Sequence, residues 1–136
     1  MTKVLIADDN RDMRYILRVQ AELLGFTAVT AENGRDAVET AIAEKPDLIL
    51  MDIMMPDMDG WEAIRLLRSA SATKNIPVLA VTAMFHCADL QTCIDAGIND
   101  YIVKPFTWEE LRAKIRGLAA TLPTSTVCAD RRLLRR

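Results

Sequence analysis

The chain has 136 residues, 51% of them hydrophobic and 26% charged, with a formal net charge of -2. That balance suits one globular domain with a buried core and excludes a disordered chain. The charge weighs against nucleic acid as a partner of the folded body, and no apolar stretch approaches the ~20 residues of a membrane span. Asp8-Asp9 interrupts the first apolar run, against a secretory leader. Cys87, Cys93 and Cys128 have neither metal nor redox spacing and read as reduced thiols of a cytoplasmic protein.

Along the chain, short branched apolar runs alternate with helical periodicity. Val4-Leu5-Ile6-Ala7 ends in Asp8-Asp9, as a strand buried on both faces of a parallel sheet would. Arg11 to Leu24 aligns Met13, Ile16, Leu17, Gln20, Leu23 and Leu24 on one side of a helix that Gly25 stops. Phe26 to Thr30 reads as a second strand, and Asn33-Gly34 opens a helix through Ala37, Val38, Ala41 and Ile42 that ends before Pro46. Leu48 to Met51 runs into Asp52, and Gly60 to Ser69 carries Trp61, Ile64, Leu66 and Leu67 at helical spacing. Ile76 to Val81 runs into Thr82, and His86 to Ala96 predicts a helix capped by Gly97. Tyr101-Ile102-Val103 leads to Lys104-Pro105, after which Thr107 and Glu110 predict a capping box for a last helix through Leu111, Ile115 and Leu118.

This alternation predicts an α/β fold, five β-α units making a doubly wound parallel sheet with right-handed crossovers. The domain is expected over residues 1–120. Residues 121–136, with Thr121 to Thr126 linker-like and Arg131 to Arg136 basic, read as a short flexible tail.

In an open parallel sheet ligands bind beyond the carboxyl ends of the strands. Separate strands therefore bring Asp8, Asp9, Asp52, Thr82 and Lys104 to one edge. Taken alone, Asp8-Asp9 is more often a helix cap, Asp52 a loop cap, Thr82 a strand-end hydroxyl and Lys104 a surface amine. Together, at one edge, they read as a site. Two carboxylates ~4 Å apart repel by about 4 kcal/mol at an effective dielectric near 20, so one must be protonated or a cation must bind. With oxygen donors only, a hard ion such as Mg²⁺ suits the cluster. Asp52 is a candidate covalent acceptor of a phosphoryl group. Lys104 and the Thr82 hydroxyl are placed to hold its other oxygens, and small Ala83 leaves room for it to enter.

Asp8-Asp9, the stretch Asp52-Ile53-Met54-Met55-Pro56-Asp57-Met58-Asp59-Gly60, Thr82-Ala83 and Lys104-Pro105-Phe106, in this order, resemble the response-regulator receiver domain of two-component signalling over residues 2–120. The resemblance implies a flavodoxin-like sheet of order 2-1-3-4-5. It implies that Asp52 is the phosphoacceptor, with Asp9 a direct Mg²⁺ ligand, Asp8 acting mainly through water, and the Met54 backbone carbonyl completing the protein's share. By the same resemblance Lys104 pairs with the phosphoryl group and its bond to Pro105 is cis. Thr82 moves toward the phosphoryl oxygens, and Tyr101 is the switch aromatic. The implied donor is a histidine kinase or a histidine phosphotransfer protein. The implied output face runs from about His86 to Leu118, toward an unknown downstream protein, with the chain a monomer or a phosphorylation-dependent dimer. Met54 and Met84 fall where side chains flank the attacking water in the family, so their thioethers are expected either to shield an acyl phosphate or simply to pack.

The resemblance implies a signalling switch rather than an enzyme. A Mg²⁺-dependent aspartyl-phosphate phosphatase usually has a second Asp two residues after its nucleophile, where this chain has Met54. A phosphorylation-independent binding module, a pseudo-receiver, is the other alternative; the complete set Asp8, Asp9, Asp52, Thr82 and Lys104 counts against it.

Overall fold

A computed structural model describes residues 2–53, 60–82 and 97–120. Five parallel strands form one sheet: β1 (Lys3–Ala7), β2 (Thr27–Ala31), β3 (Leu48–Asp52), β4 (Val78–Thr82) and β5 (Asp100–Val103), in the order β2-β1-β3-β4-β5. Four helices lie among the described residues: α1 (Arg11–Leu23), α2 (Gly34–Glu44), α3 (Gly60–Ser69) and α4 (Trp108–Ala119). The expected helix from His86 to Ala96 lies outside them, as do Met54, Ala83, Met84 and residues 121–136.

The strands are apolar on both faces because each face carries helices. Leu5, Ile49, Met51, Val78 and Ala80 point into one core with Ala37 and Ala41 of α2 and Ala63, Ile64 and Leu67 of α3. Their neighbours Val4, Ile6, Leu48, Leu50, Leu79 and Val81 point into the other, with Leu17 and Ala21 of α1 and Leu111, Ile115 and Leu118 of α4. Alternate residues along a strand serve opposite layers, so a one-residue slip would exchange the two cores.

Local chemistry sets the helix ends. The Asn10 side chain accepts from Met13 N at 2.9 Å, and the Asn33 side chain from Asp36 N at 2.8 Å. The Thr107 capping box is present: Glu110 N donates to Thr107 Oγ1 at 3.1 Å and Thr107 N to Glu110 Oε1 at 2.8 Å. Gly25, at φ +95°, follows α1, and Lys45, at φ 50°, closes α2 before Pro46.

Two strands start later than the reading of sequence alone, while β1 and β5 start one residue earlier, at Lys3 and Asp100. β2 begins at Thr27 because Phe26 N donates to Ala21 O at 3.0 Å, closing the end of α1 instead of joining the ladder. β4 begins at Val78 because Ile76 N donates to Thr73 O in a turn, while Arg68 takes the Ile76 carbonyl. Apolar character extends past the ladder at both places because these residues pack on the core from outside the sheet.

Candidate functional site

The parallel register carries the site. Ala7 pairs with Met51 and Asp52 with Val81, while Thr82 pairs with Val103. The residues one step beyond β1 and β5, Asp8 and Lys104, therefore emerge at the same edge as Asp52 and Thr82, the last residues of β3 and β4. The backbone thus gathers residues that are distant in sequence.

Asp8, Asp9 and Asp52 each present a carboxylate oxygen within 4.8 Å of the others. Asp8 and Asp52 are buried and Asp9 is exposed. Lys104 reaches into this cluster. Its Nζ donates to Asp8 Oδ2 at 3.1 Å and lies 3.8 Å from Asp52 Oδ2. An ammonium among three carboxylates offsets part of their repulsion, in addition to the protonation or cation binding expected from the sequence.

The remaining Asp8 oxygen is also engaged. Asn10 N donates to Asp8 Oδ1 at 2.8 Å, and the guanidinium of Arg14 donates to the Asp8 carbonyl at 2.9 Å. The start of α1 thereby holds Asp8 in place through both side chain and backbone. Neither Asn10 nor Arg14 stands out in the sequence, where each reads as a cap or a solvated helix residue. Sequence periodicity could not reveal them, because their contacts depend on how β1 turns into α1.

Gly60, which closes the stretch that begins at Asp52, has a packing role that sequence does not reveal. Its N–H donates to Ile53 O at 2.9 Å, bringing the first residue of α3 against the end of β3. A Cβ there would lie 2.6 Å from Ile53 Cα and 2.7 Å from Asp52 O. Only glycine lets the backbone approach this closely to the residue bearing the central carboxylate.

Tyr101 lies in β5 opposite Ala80, half-buried against the α2–α3 core. Lys114 Nζ sits 5.6 Å from its ring centroid and pairs with Asp100 Oδ1 at 3.0 Å, linking the ring to α4. The Lys104–Pro105 bond is cis.

A site of this chemistry fits a hard cation: three carboxylates converge, two of them shielded from water, and among the described residues no histidine or cysteine joins them. Residues 4–116 match the family described as the response regulator receiver domain. Among curated proteins, a "Probable transcriptional regulator ycf27" of Guillardia theta is 39% identical over 116 residues, covering 85% of this chain and 44% of that protein. A "Response regulator MprA" of Mycolicibacterium vanbaalenii is 37% identical over 116 residues, covering 85% of this chain and 49% of its own length. The chain thus spans about half the length of the curated relatives it matches.

Among solved structures, the chemotaxis protein CheY4 of Vibrio cholerae superposes with a TM-score of 0.81 at 30% identity, covering 87% of this chain and 98% of that one. The receiver domain of a sensor histidine kinase from Pseudomonas aeruginosa gives 0.80 at 30% identity, covering 88% and 98%, and is described with a magnesium ion coordinated in its active site cleft. With the sheet order, the carboxylate edge and the family match in agreement, this chain belongs to the response regulator receiver domains.

Proposed function

We propose that this chain is a phosphorylation-controlled switch of a two-component phosphorelay in which Asp52 accepts the phosphoryl group. One observation carries the reading: Lys104 and the three converging carboxylates stand at a single sheet edge of a receiver-family chain. Asp8, Asp9, Asp52 and the Met54 carbonyl are the proposed Mg²⁺ ligands, and the bound ion would neutralise charge on the transferring group. In the transfer a carboxylate oxygen of Asp52 forms the new bond to phosphorus as the phosphorus–nitrogen bond of a donor phosphohistidine breaks, leaving a neutral imidazole after proton uptake. The donor is a histidine kinase or a histidine phosphotransfer protein.

The phosphoryl group adds roughly -1.5 to -2 units of charge and three acceptor oxygens. Lys104, the Thr82 hydroxyl and the backbone of Ala83 are the proposed partners of those oxygens. For Lys104 this means leaving Asp8, so the new charge competes for an ammonium that already has a partner. Tyr101 is the proposed aromatic of the switch, and the face from about His86 to Leu118 the surface read by a downstream protein. We place the receiver unit at residues 1–120 and the protein in the cytoplasm. Where a chain of this kind is joined to another domain, as the names of its longer relatives suggest, nucleic acid would be contacted by that other part.

Intact-mass measurement after incubation with a small acyl phosphate and Mg²⁺ tests the reading, with Asp52→Asn alongside. One added phosphoryl group that requires Mg²⁺ and is lost in the variant is the expected result. If neither an acyl phosphate nor a phosphorylated histidine kinase labels the chain, the phosphorylation-independent binding module takes its place.

A further inference from the structure

Among the described residues outside the carboxylate edge, α1 carries a concentration of positive charge. Arg11, Arg14 and Arg18, with Tyr15 and with Thr30 of the edge strand β2, line a single recess of about 190 Å³. The arginines are spaced so that all three share one helix face. Among the described residues none of the three guanidiniums pairs with a carboxylate. Two are held by other contacts: Arg14 donates to the Asp8 carbonyl at 2.9 Å, and the Arg18 guanidinium lies 5.8 Å from the Tyr15 ring centroid.

Their position works against the local helix. Arg11 is the first residue of α1 and Arg14 lies in its first turn, where the helix end is already positive and acidic residues are the stabilising choice. Asp12 shares that first turn and the Asp8 carbonyl takes Arg14, which leaves Arg11 and Arg18 as cations with no carboxylate partner among the described residues, in a chain whose net charge is -2. Such conflicts mark positions kept for a ligand rather than for folding. The shape narrows the ligand class. The recess is well below the ~300 Å³ of an ordinary drug-sized pocket, a size that suits a compact anion. Guanidinium forks match the oxygens of a phosphate bidentately, and Thr30, which also lines the recess, carries a hydroxyl that can donate.

We infer that the recess formed by Arg11, Arg14, Arg18, Tyr15 and Thr30 is an oxyanion site for phosphate or a small phosphomonoester, adjoining the carboxylate cluster only through Arg14. The inference does not depend on Asp52 being phosphorylated. It commits to a small anion because three arginines line one small recess.

The test is a titration of the whole chain with inorganic phosphate in the absence of divalent cations, followed by amide chemical shifts and by calorimetry. A parallel titration uses glycerol 2-phosphate, and a chloride series at matched ionic strength serves as the reference. Saturable shifts at residues 11–18 and 30, absent with chloride, are expected. Arg11→Gln with Arg18→Gln should weaken the affinity roughly tenfold or more while leaving the far-ultraviolet spectrum unchanged. A phosphomonoester binding as well as phosphate identifies an esterified ligand, and phosphate alone binding identifies the free ion; both support the site. Shifts confined to the neighbourhood of Asp52 and Lys104, shifts reproduced by chloride, or an affinity unchanged in the double variant would each overturn it. So would no binding of either anion, which would turn the arginines toward an acidic protein surface.

Discussion

Lys104 lies nearer to Asp8 than to Asp52, with Nζ 3.1 Å from one carboxylate and 3.8 Å from the other. The lysine is thus bonded to the carboxylate that is not the proposed acceptor. A phosphoryl group on Asp52 would have to outbid Asp8 for the ammonium, and that competition gives the edge two arrangements to choose between. The buried Asp8 side chain depends on the same contact.

Replacing Lys104 by Met leaves two buried carboxylates without their cation. Because the ammonium is partly open to solvent, the expected loss of unfolding free energy is about 2–3 kcal/mol, below that of a fully enclosed pair. Urea unfolding measures it. Addition of Mg²⁺ should return most of the loss by replacing the missing positive charge among the carboxylates; a variant as stable as the parent without cation would show that Lys104 is not needed to hold the cluster.

Gly60→Ala asks whether the close approach of α3 to β3 matters. The new Cβ meets backbone rather than a flexible side chain, so relief requires α3 or the end of β3 to move. The expected cost is about 1–3 kcal/mol, with weakened Mg²⁺ affinity because Asp52 moves with its own carbonyl. Cation titration by calorimetry, compared with the solvent-facing Gly117→Ala on α4, distinguishes this from a general propensity effect. Affinity equal in the two variants would remove Gly60 from the site.

At the opposite end of the sheet, Arg68 joins three segments. Its guanidinium donates to Gly97 O at 2.9 Å, Lys74 O at 3.0 Å, Ile76 O at 2.7 Å and Asn99 Oδ1 at 3.0 Å, while Asn99 Oδ1 also accepts from Val78 N at 2.9 Å. Arg68→Lys retains the charge but not the planar fork, and about 2–4 kcal/mol of stability should be lost, measured by thermal or urea unfolding. Burial lowers the Arg68 pKa by desolvation. The sign follows: for a base lowered in the folded state, the desolvation cost is present wherever the group is charged and is relieved only as pH rises toward its pKa. Across the neutral range the contribution of Arg68 should therefore be flat, so the stability difference between parent and Arg68→Lys should not change with pH there. A difference that varies through neutrality would point to another titrating group.

Thr107→Ala removes one half of the capping box at the start of α4, directly after the Lys104–Pro105–Phe106 stretch. The expected cost is about 1 kcal/mol, with Thr107→Ser restoring most of it because the hydroxyl is the active group. A full loss with Ser would locate the effect in the methyl group instead.

By itself the sequence determined the five strands, the four described helices and the edge at which the charged residues would meet. Continuous apolar runs such as Leu48 to Met51 specify strands covered on two faces, and Asn33 and the Thr107–Glu110 pair mark helix starts, because these signals are local and act over a few residues. The strict β-α alternation left little freedom in where Asp8, Asp52, Thr82 and Lys104 would emerge. The boundaries of β2 and β4 escaped it because Phe26 and Ile76 are apolar residues whose backbone groups are taken by a helix end and a turn. Tertiary structure alone decided which side chains meet. Lys104 pairs with a residue 96 positions away, Arg68 bonds Gly97 from 29 positions away, and Gly60 abuts the backbone of Ile53. Such distances depend on strand register and on how each helix settles on the sheet, and both are set by the packing of the two cores rather than by any short stretch of residues.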